Sequence, residues 1–202
     1  MTSGSKTLVE RGRPALLAAL LLLGASTAWA FDMPELMALL SRQKSGEARF
    51  TEQRFVRGMD GPLESSGTLS FTAPDKLTRR TLTPRPESMV VEGNTVTLSR
   101  GGRTRTLTLD SAPEMGGMVD ALRGTLSGDG ALLQRQFRST LKGSGADWTL
   151  DLQPVDDRLA AQVRSVRLSG RQGDVLGVEM EFIGGDRSVM SITPGRGEGK
   201  SP

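Results

Sequence analysis

The sequence predicts a mainly β protein: a single antiparallel sheet, curled into an open half-barrel and covered by a lid of short helices. Three observations predict it. Apolar and polar residues alternate through about ten or eleven short segments, Gly, Pro, Asn and Asp separate those segments, and only three stretches carry helical spacing. Alternation in so many strands requires one wet face, which antiparallel sheets permit and buried parallel sheets do not. A sheet that wide must curl to bury its apolar face.

Taken in order, residues 1–30 read as a secretory signal peptide. Lys6, Arg11 and Arg13 precede an apolar run over 15–23, and Ala28-Trp29-Ala30 has the small-x-small form of a cleavage site. The run is too short to span a bilayer. The mature chain is therefore expected to begin near Phe31 and to work in the periplasm. It keeps 23 basic and 22 acidic residues, a net charge of +1. Its arginines are spread along the chain, which is the pattern of a solvated face and not of a nucleic-acid site. With no cysteine, the chain has neither disulfides nor a lipobox, so it is not read as a lipoprotein itself.

Asp32 is placed to cap a first helix over 33–44, with Pro34 in its first turn and Glu35 as capping-box partner. Met33, Leu36, Met37 and Leu40 share one face of it. From Ala48 the period becomes two, predicting strands over 48–56, 63–72, 76–82, 88–92, 95–100 and 103–110. Helical spacing returns at Pro113, and a second short helix over 131–137 follows the loop 127–130. Strands resume over 138–143, 147–153, 163–169, 174–183 and 187–193. The tail 194–202 is Gly-rich and polar and is expected to be disordered, so the domain is bounded at 31–193.

Parity names the inward face. Leu69, Phe71, Leu77, Met89, Val96 and Leu98 are expected to line an apolar cavity from the first half of the sheet, followed by Leu107 and Leu109. Met115, Met118 and Leu122 line it from the lid. Leu150, Leu152, Val166, Leu168, Met180 and Phe182 line it from the second half. Either these side chains collapse on one another or an apolar ligand fills the space. At roughly 0.8 kcal/mol per buried CH₂, a long acyl chain is a strong occupant. The methionines read either as ordinary core or as a lining that adapts to varied chains. On this reading, Asp at Leu150 or Met180 is expected to reduce acyl-probe binding and leave the fold standing.

The chain has no His and no Cys, which excludes a Ser-His-Asp triad, a thiol nucleophile and any metal site built on imidazole or thiolate. Ser41 and Lys44 have Ser-x-x-Lys spacing but lack the companion motifs of such hydrolases. Asp156 and Asp157 are adjacent, so their side chains diverge as in a turn or helix cap and do not face each other across a substrate. Gly199-Lys200-Ser201 lacks the first glycine and the following helix of a phosphate loop. The chain is not read as an enzyme, and no catalytic residue, metal or cofactor is assigned. One of Arg79 and Arg80 shares inward parity with Leu77. It lies either with its stem on apolar surface or as an inward guanidinium that latches the lid through backbone carbonyls.

The order of motifs resembles the LolA family of periplasmic outer-membrane lipoprotein carriers, in particular its LolA-related branch. The resemblance rests on Ala48-Arg49-Phe50-Thr51-Glu52-Gln53, on residues 66–77, and on Val90-Val91-Glu92-Gly93-Asn94-Thr95-Val96. Leu126-Ser127-Gly128-Asp129, residues 148–154 and residues 163–169 continue it, so it covers nearly the whole mature chain. It implies a half-barrel with a helical lid, a monomer without covalent chemistry, and Arg79 as the lid latch. It also implies shuttling of an acylated lipoprotein or lipid from inner-membrane release machinery to an outer-membrane acceptor. The chain has no Tyr and no clear extra C-terminal strand, which leaves lipoprotein, glycolipid and polyene-type lipid open as cargo. An envelope sensor that uses the same half-barrel to bind a protein is the competing reading, and a lipid hydrolase the weakest.

Overall fold

In chain order the elements are α1 (Met33–Leu40), β1 (Ser45–Phe55), β2 (Leu63–Thr72), β3 (Lys76–Thr83), β4 (Glu87–Glu92), β5 (Thr95–Arg100) and β6 (Arg103–Thr108). A 3₁₀ turn (Leu109–Ser111), α2 (Pro113–Ser127), α3 (Gly130–Gln136), β7 (Phe137–Gly143) and β8 (Trp148–Pro154) follow. The chain closes with α4 (Asp157–Ala160), β9 (Val163–Arg171), β10 (Asp174–Phe182) and β11 (Arg187–Pro194). The computed structural model describes residues 31–195 apart from Ala112. The expected signal peptide and residues 196–202 of the expected tail lie outside the described residues.

All eleven strands form one antiparallel sheet in the order β6-β5-β4-β3-β2-β1-β11-β10-β9-β8-β7. The first half of the sheet ends at the β6 edge and the second half starts at the β7 edge. The chain must therefore pass from edge to edge between them, and it does so as α2 and α3. Topology alone thus makes a lid of the two helices. The registers align apolar rows on the face they cover: Phe71, Leu77, Val91, Val96 and Leu107 across one half, and Leu141, Leu150, Leu168, Val178 and Met190 across the other.

Local chemistry explains most boundaries. Asp32 accepts from the Glu35 backbone N–H at 3.0 Å and starts α1 where expected. The helix stops at Leu40 and not at residue 44. Gln43 is drawn to the β9–β10 turn, its Nε2 donating to the Gly173 carbonyl at 3.0 Å and to Asp174 at 2.7 Å. β1 starts at Ser45, earlier than expected, because Ser45 and Gly46 pair with Thr72 and Phe71. β6 ends at Thr108: Leu109 leaves the strand, its N–H donating to the Asn94 carbonyl at 2.9 Å. Leu109 is therefore a turn residue and not the inward strand position that parity assigned to it. Four helices cover the sheet where three were expected, the addition being α4. Asp156 caps it, accepting from the N–H groups of Arg158 and Leu159, and Leu159 buries itself in the core.

Gly101 and Gly102 form the two-residue β5–β6 turn with φ of 55° and 75°, a left-handed pair that favours glycine. Gly170 is required for a different reason. It stands opposite Trp148, and a Cβ there would lie 2.2 Å from both the Trp148 Cζ2 and the Asp174 carbonyl oxygen. The indole, 2 % exposed, lies across the glycine and donates to the Gln172 carbonyl at 3.0 Å. Gly170→Ala is expected to cost about 2 kcal/mol through overpacking, read as a lowered midpoint in urea denaturation.

Candidate functional site

The covered face divides into two apolar regions. Beneath α1, α3 and α4 lies a packed core in which Leu36, Leu40, Leu133, Leu150, Leu159 and Leu168 are all at most 2 % exposed. A smaller region lies where α2 meets the β3–β6 half, built on Val91, Val96, Leu109 and Val119.

The predicted lining residues separate along the same division. Leu150, Leu152, Val166 and Leu168 are buried core of the larger region, with Met118, Met180 and Phe182 half-buried against it. Val96 and Leu109 are buried in the smaller region, with Leu77, Met89, Leu98, Leu107 and Met115 half-buried around them. Phe71 is buried, while Leu69 and Leu122 are half-buried. Half-buried predicted residues thus lie mostly on β2 to β6 and α2, with Met180 and Phe182 of β10 beside them. Leu150 belongs to the core, so the expectation that an Asp there spares the fold is corrected.

Between the two regions, on the central strands, a polar cluster sits on the same face. Arg79 lies opposite Leu69 and Met89 in the register, which gives it the inward side, while Arg80 is exposed on the other. Arg79 does not latch the lid. Its Nη2 donates to Glu52 at 2.5 Å, and its guanidinium stacks 4.5 Å from the centre of the Phe50 ring. Ser188 and Ser65 also donate to Glu52, at 2.5 and 3.2 Å. Burial pushes the Glu52 carboxyl up, but the hydrogen bonds from Ser188 and Arg79, the Arg79 charge and the Ser65 hydroxyl outweigh it and hold the carboxyl below its ordinary range. Sequence parity identified the inward arginine. It missed the partner, because Glu52 comes from a strand whose neighbours are known only from the topology.

The lid is latched from its own side by Arg123 of α2. Its Nε and Nη2 donate to the Asp75 carbonyl at 3.1 and 2.8 Å, and Nη2 donates also to the Gly93 carbonyl at 2.7 Å. One guanidinium therefore ties α2 to the β2–β3 and β4–β5 turns. The latch inverts the expected arrangement, in which a sheet arginine reaches for lid carbonyls. Arg123→Met is expected to remove about 1–2 kcal/mol and to speed amide exchange in α2 more than in β8, which hydrogen-exchange mass spectrometry will resolve.

Two recesses accompany these features, and both are polar. One of about 460 Å³ lies where α2 passes the β4–β5 turn, with Asn94, Asp110, Asp120 and Arg123 on its walls. The other, about 370 Å³, lies on the opposite face around Asp151, which Arg167 and Lys142 hold at 2.6 and 3.3 Å. Ser41 donates its hydroxyl to the Ala38 carbonyl, and Lys44 is exposed beyond the helix end. Among the described residues every buried side-chain polar atom has a partner, and no group of acidic residues is set to hold a metal. No described helix is long and apolar enough to cross a membrane.

The solved structures similar to this chain are distant from it in sequence. A LolA superfamily protein, NE2245 from Nitrosomonas europaea, is 11 % identical, with 81 % of this chain and 92 % of that one covered and a TM-score of 0.45. A chain of the Pseudomonas aeruginosa MucA/MucB complex is 17 % identical over 84 % of this chain and 58 % of that one, with a TM-score of 0.43. A putative outer membrane lipoprotein-sorting protein domain from Vibrio parahaemolyticus is 9 % identical over 84 % and 92 %, with a TM-score of 0.42. No curated protein matches in sequence. The family described as outer membrane lipoprotein carrier protein LolA-like matches residues 25–193. With that match spanning nearly all of the half-barrel and its lid, the chain belongs to the LolA-like family.

Proposed function

We propose that this protein is a periplasmic carrier that shields the acyl chains of a lipoprotein or lipid on their way to the outer membrane. The observation that carries the reading is the half-buried apolar floor of the β3–β6 strands, with Leu77, Met89, Leu98 and Leu107 packed in one cluster with Met115 of the lid. Unlike the larger core, whose leucines are sealed, this floor keeps apolar surface within reach of a chain entering beneath α2. Each buried CH₂ of such a chain contributes roughly 0.8 kcal/mol. The methionines adapt to its course. Membership of the LolA-like family supports the same reading. Arg123 sets how readily α2 lifts, and the pair of Arg79 with Glu52 places a charged boundary beside the floor. Binding and release need no covalent step, so the protein acts here without catalysis.

The test is native mass spectrometry of protein recovered without detergent from a periplasmic fraction, with titration of a fluorescent fatty-acyl probe. A co-purifying acylated mass is expected, together with probe uptake that falls at least tenfold in Leu98→Asp while circular dichroism is unchanged. A clean apo mass with no uptake would overturn the reading and favour a module that binds a protein.

A further inference from the structure

Three rows of side chains cross β3 to β6 on the covered face. The innermost is apolar throughout: Leu77, Val91, Val96 and Leu107. The next is Arg79, Met89, Leu98 and Arg105. The third, beside the β3–β4 and β5–β6 turns, is Thr81, Glu87, Arg100 and Arg103. Met115 and Val119 of α2 pack into one cluster with the first row and with Met89 and Leu98. Glu87, Arg100, Arg103 and Arg105 are exposed. Over about 13 Å along the strands, the face therefore passes from a covered apolar floor to an open cationic margin.

The charges of this margin do not cancel. Arg79 is neutralised by Glu52. Arg100 has Glu87 at 3.9 Å, with both side chains exposed, which makes a weak pair. Arg103 and Arg105 have no hydrogen bond or ion pair among the described residues. Arg103 also stands directly opposite Arg100, and like charges facing each other across a ladder are destabilising. Solubility does not account for the cluster. The other face of β5 and β6 presents Thr95, Thr97, Ser99, Thr104, Thr106 and Thr108, without a charge. Every arginine of these two strands is turned instead toward the face that carries the apolar floor.

We propose that Arg103 and Arg105, with Arg100 beside them, bind the oxyanion headgroup of an acyl amphiphile whose chain lies over Leu98 and Met89. The proposal rests on the carrier reading and names its class of cargo, an acyl chain that ends in a carboxylate or a phosphate. Guanidinium forks match both groups with paired hydrogen bonds. Arg105 is the cross-strand neighbour of Leu98, about 5 Å away between backbones, so a head held by the arginines delivers its first carbons to the floor. A neutral head would leave the clustered arginines uncompensated. An acidic peptide would satisfy the arginines and leave the floor unused. Only an anionic amphiphile answers both halves of the surface.

The experiment displaces a neutral fluorescent acyl probe from protein recovered without detergent from a periplasmic fraction. The competitors are two pairs that share a chain and differ in charge at the head: laurate with methyl laurate, and lauroyl lysophosphatidate with monolauroylglycerol. Each anion is expected to act at about tenfold lower concentration than its neutral partner. A preference in one pair alone supports the site and assigns its headgroup. Arg103→Gln with Arg105→Gln should abolish the preference and leave monolauroylglycerol binding within about twofold of the parent. Arg49→Gln with Arg80→Gln removes the same charge from exposed positions on the opposite face and should keep the preference. All four arginines are exposed, so circular dichroism should be unchanged in both variants. Equal displacement by charged and neutral chains, or equal loss of preference in the two double variants, would overturn the proposal and leave carriage standing. Displacement by none of the four competitors would overturn carriage and the headgroup site together.

Discussion

Leu150→Asp will unfold this protein. Leu150 is fully buried, between Leu141 and Leu168 in the cross-strand row and beneath the helices of the lid. A carboxylate there loses the leucine's packing, at about 2–5 kcal/mol even for truncation to Ala. It also meets no donor, so it must either stay charged in an apolar core or take up a proton at a further cost of several kcal/mol. The sum reaches the about 5–15 kcal/mol by which a domain of this kind is stable. Circular dichroism at neutral pH should show loss of the β spectrum. Met180→Asp, at a half-buried edge of the same core, should cost visibly less and keep a cooperative transition. Equal, native-like spectra for Leu150→Asp and the parent would show that the larger region is a fillable cavity and not a packed core.

Arg79→Met will cost about 3 kcal/mol, the low end for breaking a buried pair, because the guanidinium keeps 27 % exposure. The loss comes less from the missing attraction than from Glu52. Its side chain is only 11 % exposed and is left with the Ser65 and Ser188 hydroxyls alone. Glu52→Gln with Arg79→Met removes the orphaned charge and should recover much of the stability, and that non-additivity is the signature to measure by denaturation. The pH dependence has a definite sign. The folded carboxyl titrates below its ordinary value of 4.5, so its contribution is fully present above that value and is lost as pH falls through the lowered folded one. The parent should therefore lose stability across this acid window, whereas the double variant, lacking the carboxyl, should show a shallower fall.

The strand pattern was legible because it depends on neighbours along the chain. Alternation at Trp148, Leu150 and Leu152 or at Val96 and Leu98 assigns faces wherever the pairing leads, and Asp32 marks a helix start through bonds to its own turn. The same local logic read Asp156 as a cap or turn. It did not reveal α4, since one helical turn has too few positions to show a period. Leu109 was misread because its departure from β6 depends on the Asn94 carbonyl, a contact between neighbouring connections.

The apolar lining was legible only as a face. Sequence places Leu98 and Leu150 on equal footing, as inward residues of alternating strands. The tertiary structure separates them: Leu150 is fully buried in the larger core, while Leu98 is half-buried against the smaller cluster beneath α2. The latch follows the same rule. An inward arginine could be named from parity, but whether it finds a lid carbonyl or a carboxylate depends on what stands opposite. Glu52 and Ser188 are 136 residues apart in the chain.

The sequence by itself determined the fold class, the face each strand residue presents and the chemistry closed off by the absence of His and Cys, all properties set by residue type and short-range period. Only the tertiary structure decided which inward residues are fully buried and which stay half-buried, and that Arg123 and not Arg79 holds the lid. Each of those depends on distances between residues remote in sequence, and such distances arise only when eleven strands share one sheet.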